Sequence, residues 1–238
     1  MKLGCIGHLV DFNKLSNWDS KIFEITEIQS IEHLSNGDTE DSYLDQKFNK
    51  TDLGKIVTHS ETSDITIAIM KYRFIDNFYM HRIGDNCVAI SLYGISNILN
   101  ADNISIENFI LKQIYEICAI KCLLKDFSDN EVYAITHRDT RGCLFDLNGD
   151  REDILYNTEQ PIICESCKSI FKKKQVNSKI VLDIEKELKR IRKPWILRIE
   201  KSIKKHPFFS VLISGFIAVF LSIIANIIWD IAKMFIKI

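Results

Sequence analysis

Two short stretches of this 238-residue chain carry side chains that can do chemistry together. HRDTRGCLF, residues 137–145, holds His137 and Cys143. ICESC, residues 163–167, holds Cys164 and Cys167. The CxxC spacing lets a single turn aim two thiolates at one point. With Cys143 and His137 ahead of it, the set offers four nitrogen and sulfur donors. Four such donors about 2.0–2.3 Å from an ion close a tetrahedral zinc site and leave no position for water. The expectation is one structural zinc held by His137, Cys143, Cys164 and Cys167. Two plainer accounts stand beside it: semi-buried thiols with a hydrogen-bonded histidine, and a redox CxxC. The latter fits poorly, because QPII precedes Cys164 where a thioredoxin-type strand and helix would flank it.

The elements that must position these donors read as a mixed α+β domain. MKLGCIGHL and KIFEITEI alternate apolar and polar residues as strands do, and residues 35–64 read as a long polar loop. DITIAIM (64–70) and NCVAISLY (86–93) are β-branched runs bounded by turn residues, with a connection or short edge pair between them. Ser105 suits the N-cap of a helix running to about Lys125, with Ile106, Ile110, Ile114, Ile117 and Cys118 on one face. Cys118 and Cys122 then share a face at i, i+4, more in keeping with core than with a ligand pair. Arg141, beside Gly142, suits an ion-paired turn with the acidic residues that follow; an anion-binding role for Arg138 and Arg141 is the alternative. There is no P-loop or dinucleotide fingerprint.

The cysteine region resembles the archaemetzincins, zinc metalloproteases whose active-site helix ends in HExxHxxGxxH and is followed by spaced cysteines and a closing CxxC. In that frame His137 matches the last histidine, Cys143 keeps its place, Phe145 stands where a methionine would, and Cys164 and Cys167 close the pattern. The paired strands around residues 64–95 are similar to those preceding that helix. The resemblance implies a zincin-like fold over about residues 60–167. Counting back from His137, however, the motif falls on Phe127, Ser128, Glu131 and Ala134. Two metal-binding histidines and the catalytic glutamate are missing, so a zinc-bound water and its base are not supplied there. Only an unconventional set, with Glu131 as ligand or Glu116 as base, would restore hydrolysis.

Charge divides the chain. Residues 1–167 carry 15 Lys/Arg against 27 Asp/Glu, whereas residues 168–205 carry 14 against 4. Residues 207–229, PFFSVLISGFIAVFLSIIANIIW, contain no ionisable side chain and exceed the roughly 20 residues a bilayer core requires. Basic residues crowd the near side of this stretch, which by the positive-inside bias places residues 1–167 in the cytoplasm. Seven cysteines without a secretory leader fit the same reducing compartment.

The sequence therefore leads to a definite layout. A cytoplasmic zincin-like domain (1–167) with a zinc knuckle (137–167) joins a basic amphipathic stalk (168–206), a transmembrane helix (207–229) and a short tail (230–238). Ile180, Ile184, Leu188 and Ile191 form an apolar stripe in the stalk, to be broken at Pro194. In WILRIEKSIKKH, Trp195, Ile196, Ile199 and Ile203 lie opposite basic residues, a pattern for an anionic membrane surface or a second copy of the chain. Nucleic acid ranks last as a partner beside a membrane span. The expected role is recognition of a protein or small-molecule ligand at the membrane by a non-catalytic domain, as in a defence or signalling effector. The alternatives are a membrane-anchored metallopeptidase and an effector that disrupts membranes through its span.

Overall fold

The computed structural model describes residues 1–7, 13–30, 47–84, 86–124, 132–138, 140–193 and 195–236. Its fold is mixed α+β. The chain forms β1 (Lys2–Gly7), α1 (Asn13–Ser16), β2 (Glu24–Ser30), β3 (Lys47–Phe48), α2 (Lys50–Ile56), β4 (Ile65–Met70) and β5 (Arg73–Phe74). There follow β6 (Met80–Gly84), β7 (Cys87–Ser91), α3 (Ile95–Ala101) and α4 (Ile106–Leu123). A 3-10 turn (Arg151–Asp153) then leads into α5 (Ile154–Glu159), α6 (Glu165–Lys173), α7 (Ser178–Leu188), α8 (Trp195–Lys205) and α9 (Pro207–Ile236).

The main sheet runs β2-β1-β4-β7-β6. The first four strands are parallel, and β6 closes one edge antiparallel to β7. β4, ITIAIM, is buried at every position. A parallel strand covered on both faces requires such an unbroken apolar run rather than alternation. The polar stretch read as a loop over 35–64 contains α2, whose first turn is held by Asn49 accepting from the Asp52 amide at 2.8 Å. Residues 31–46 of that stretch lie outside the described residues.

Helix α4 is the spine of the domain. The Ser105 side chain caps it, accepting from the Glu107 amide, and every residue from Asn108 to Ile120 is buried. The single apolar face expected from spacing is too modest an account. α1, α3, α5 and α7 all pack against this helix, so its polar positions are enclosed as well. That enclosure sets up the charge problem met at Lys112 and Glu116.

The compact unit extends past the expected boundary at 167 and runs from Met1 to Arg192. Helices α6 and α7 belong to it: Phe171, Ile184, Leu188 and Ile191 are core residues. Glu187 fastens α7 to the body, accepting from Tyr115 Oη at 2.5 Å, Ser20 Oγ at 2.6 Å and the Lys21 amide at 2.9 Å. Arg190 lies over the Trp18 ring, 4.3 Å from its centroid. The apolar stripe read as one side of a stalk is therefore the face that closes the domain core.

The second unit, Lys193–Ile238, holds α8 and α9. On α8, Trp195, Ile196, Ile199 and Ile203 are all exposed. Within α9, Val211–Ile231 is long and apolar enough to cross a membrane, with a mean hydropathy of 2.6 and no part of it buried. The expected span of 207–229 lies on this helix, which continues to Ile236. Pro194 lies outside the described residues.

Candidate metal centre

The four sequence-predicted donors meet. The ligating atoms of His137, Cys143, Cys164 and Cys167 all lie within 4.8 Å of one another. Cys143 Sγ is 3.8 Å from Cys167 Sγ, and Cys164 Sγ is 3.4 Å from His137 Nε2. Tetrahedral geometry with metal–sulfur bonds of about 2.3 Å and metal–nitrogen bonds of about 2.0 Å gives edges of about 3.5–3.8 Å. These two separations match such edges, and the four donors together could hold a metal ion.

Local backbone geometry explains the convergence. Thr140 to Cys143 forms a turn closed by the Cys143 amide bonding to Thr140 O, with Gly142 at φ +86°. That conformation strongly favours glycine. Two isolated parallel bridges hold the loop: His137 pairs with Asp146 across it, and Cys143 pairs with Ile162, tying the turn to the segment before α6. Cys164 is the N-cap of α6 and Cys167 lies in its first turn, so the pair sits where the helix dipole favours thiolates. Phe145 and Phe171 pack 5.9 Å apart behind the cage. Arg141 is spent on structure, its Nε 3.3 Å from Asp153 and its guanidinium over Tyr156.

The electrostatics point the same way. Hydrogen bonds from Cys167, from the Cys164 and Phe145 amides and from His137 outweigh burial and push the Cys143 thiol down to about 4. The anion at Cys143 and burial together push Cys167 up. Neighbouring buried thiols of this kind can all ionise only around a cation, which is the condition a bound metal supplies.

Away from this cage, other cysteines behave as core. Burial raises the Cys118 and Cys122 thiols, and Cys118 is fully enclosed. Phe127, Ser128 and Glu131, named by the archaemetzincin frame, lie outside the described residues. Glu116, the conceivable base, is engaged: its Oε2 is 2.7 Å from Lys112 Nζ, and both side chains are buried. Burial alone would lower the Lys112 pKa, but Glu116, with smaller contributions from Tyr79 and Cys143, more than offsets it and the net shift is upward. The pair is therefore an ion pair. Sequence spacing did not single it out, because Lys and Glu at i, i+4 ordinarily signal an exposed helix face.

Beside Glu116 lies a cavity of about 60 Å³, lined also by Tyr79, Arg82, Thr136 and Asp146. Desolvation raises the Asp146 carboxyl, whose Oδ1 accepts from the Asn148 amide while Oδ2 has no partner among the described residues. The pocket holds carboxylates but no cluster of metal donors beyond the His137 cage among the described residues. Compared with protein-family models, curated proteins and solved structures, the chain matches none.

Proposed function

We propose that this chain is a membrane-anchored recognition module in which a zincin-like domain has kept a structural zinc and lost the catalytic one. The observation that carries the reading is the buried Lys112–Glu116 pair. In the archaemetzincin pattern the helix after the paired strands bears HExxHxxGxxH, and α4, the long helix that follows β7 and α3, would be its counterpart. Laid on α4 with its first histidine at Lys112, the motif falls on Lys112, Gln113, Glu116, Ala119 and Cys122. An ammonium and a carboxylate then occupy the two histidine positions, and a neutral amide stands for the catalytic glutamate. The pair neutralises itself where a metal site would need neutral imidazoles around a cation. Cys122 supplies no third ligand there. Six residues beyond Glu116, it is about 120° away around the helix and lies towards Cys118 and the N-terminus. This register is an alternative to the one counted back from His137, and it leaves His137 to the cage.

Zinc is the ion proposed for His137, Cys143, Cys164 and Cys167, since three thiolates and one imidazole in a closed tetrahedron are its usual structural set. The metal would hold the turn at 140–143 against α6, and it would supply no open position for a substrate. The apolar helix α9 would anchor the module, with α8 lying on the anionic lipid surface that its exposed apolar face and basic residues suit. The positive-inside bias would keep the domain on the cytoplasmic side.

The direct test is peptide cleavage by the purified full chain with zinc present and after chelation. No chelator-sensitive cleavage is expected from wild type or from Lys112→Met. Turnover abolished by chelation would overturn the reading in favour of a metallopeptidase with unconventional ligands.

A further inference from the structure

Three arginines gather at one side of the domain without a carboxylate partner among the described residues. Arg138 and Arg151 line a cleft of about 260 Å³ together with Asn77, Phe78, Tyr79, Tyr133, Asn148 and Gly149. Arg151 donates to the carbonyls of Tyr93 and Asn77, at 3.2 and 3.0 Å, and its Nε is buried without a partner. Arg73 stands behind it over the Tyr93 ring, and its Nε is likewise buried and unpartnered. Arg138 lies against the backbone at Gly149, where a Cβ would come within 3.3 Å of its Cζ. The acid that lines the cleft, Asp76, is already engaged by His81 Nε2 at 3.1 Å.

Two physical costs converge here. Like charges held side by side repel, and the repulsion from Arg73 adds to desolvation in lowering the Arg151 pKa. Buried guanidinium N–H groups left unpaired forfeit hydrogen bonds that water would have supplied. An oxyanion in the cleft, which Arg138 and Arg151 both line, offsets the first cost, and the guanidinium fork matches phosphate and carboxylate oxygens in pairs. The lining also carries three aromatic rings: Phe78 and Tyr133 are 46% and 58% exposed, and the buried Tyr79 meets Phe109 of α4. Exposed rings at a cleft mouth suit a flat ligand group. The volume is near the low end for a small-molecule site.

We infer that the cleft between Phe78, Tyr133 and the Arg138–Arg151 pair binds a small phosphorylated ligand carrying a flat ring, the chemistry of a nucleoside monophosphate. The phosphate sits between the two guanidiniums and the ring lies against Phe78 or Tyr133. This gives a ligand class to the recognition role proposed above and rests on that role. Its test is separate, since binding is read without reference to cleavage or to metal content.

Calorimetry on the detergent-solubilised full chain distinguishes the sources of binding, using adenosine monophosphate, adenosine, inorganic phosphate and benzoate as probes. Adenosine monophosphate should bind saturably and more tightly than phosphate, with adenosine and benzoate weaker still. Arg138→Gln should weaken adenosine monophosphate roughly ten- to a hundredfold, and Phe78→Ala should reduce its advantage over phosphate. Arg141→Gln, whose guanidinium is engaged elsewhere, should bind as wild type does. The inference is overturned by adenosine or benzoate binding as tightly as the monophosphate, by unchanged binding in Arg138→Gln, or by no saturable binding at millimolar concentration.

Discussion

On helix α4, Lys112 and Glu116 are buried together and neutralise each other across 2.7 Å. In the knuckle beside them, Cys143, Cys164, Cys167 and His137 bring four donors within 4.8 Å. Both clusters draw on α-helical geometry, one through i, i+4 spacing and the other through the first turn of α6. The difference lies in charge. A complete internal pair leaves a metal nothing to compensate, whereas converging thiols can all ionise only if a cation joins them. Proximity of ionisable groups inside a protein is thus not by itself a metal site; the sign of the charge left over decides.

The sharpest way to break this contrast is to remove donors from the knuckle. Cys164→Ser/Cys167→Ser should lose the metal and lower the melting temperature by on the order of 10 °C or more, since losing even ~4 kcal/mol shifts a domain of this size by about 8–16 °C. Melting measured with and without chelator checks it, because the variant should no longer respond to chelation. On α4 the order of effects should reverse between single and double variants. Lys112→Met leaves a buried carboxylate alone and should cost about 3–5 kcal/mol, while Lys112→Met/Glu116→Met should recover most of that loss. Denaturant titration of the three proteins measures it, and a double variant no better than the single would mean that the pair does more than balance charge.

Acidification separates the two clusters further. Cys143 is a depressed thiol, so its ligand form is present above its pKa and is lost as pH falls through about 4. Metal held at pH 7 should be released into a chromogenic chelator only as pH approaches that range. Release already close to neutral pH would contradict the depressed thiol. The smallest effect is expected at Gln113, which is fully buried with neither amide atom partnered among the described residues. Gln113→Met keeps the volume, removes the unsatisfied amide, and should raise stability by about 1–2 kcal/mol in the same titration.

The cage was legible in sequence because its geometry is local: CxxC fixes two donors on one turn, and Gly142 fixes the turn that carries Cys143. β4, β7 and α4 were legible from periodicity and the Ser105 cap for the same reason. What was not legible depends on contacts distant in the chain. The stripe of Ile184, Leu188 and Ile191 fits a membrane, a partner or the domain's own core equally well, and only Tyr115 and Ser20 meeting Glu187 decide among them. Arg73 and Arg151 come together only through Tyr93, while Arg141, the arginine that spacing had paired with Arg138, turns to Asp153. Helix α4 ends at Leu123, and Phe127, Ser128 and Glu131, on which the motif counted back from His137 falls, lie outside the described residues.

Metal content of the purified full chain tests the central claim most directly. The account predicts one zinc per chain in wild type and in Lys112→Met/Glu116→Met, and none in Cys164→Ser/Cys167→Ser. Two zincs per wild-type chain, or zinc retained after both cysteines are replaced, would contradict it.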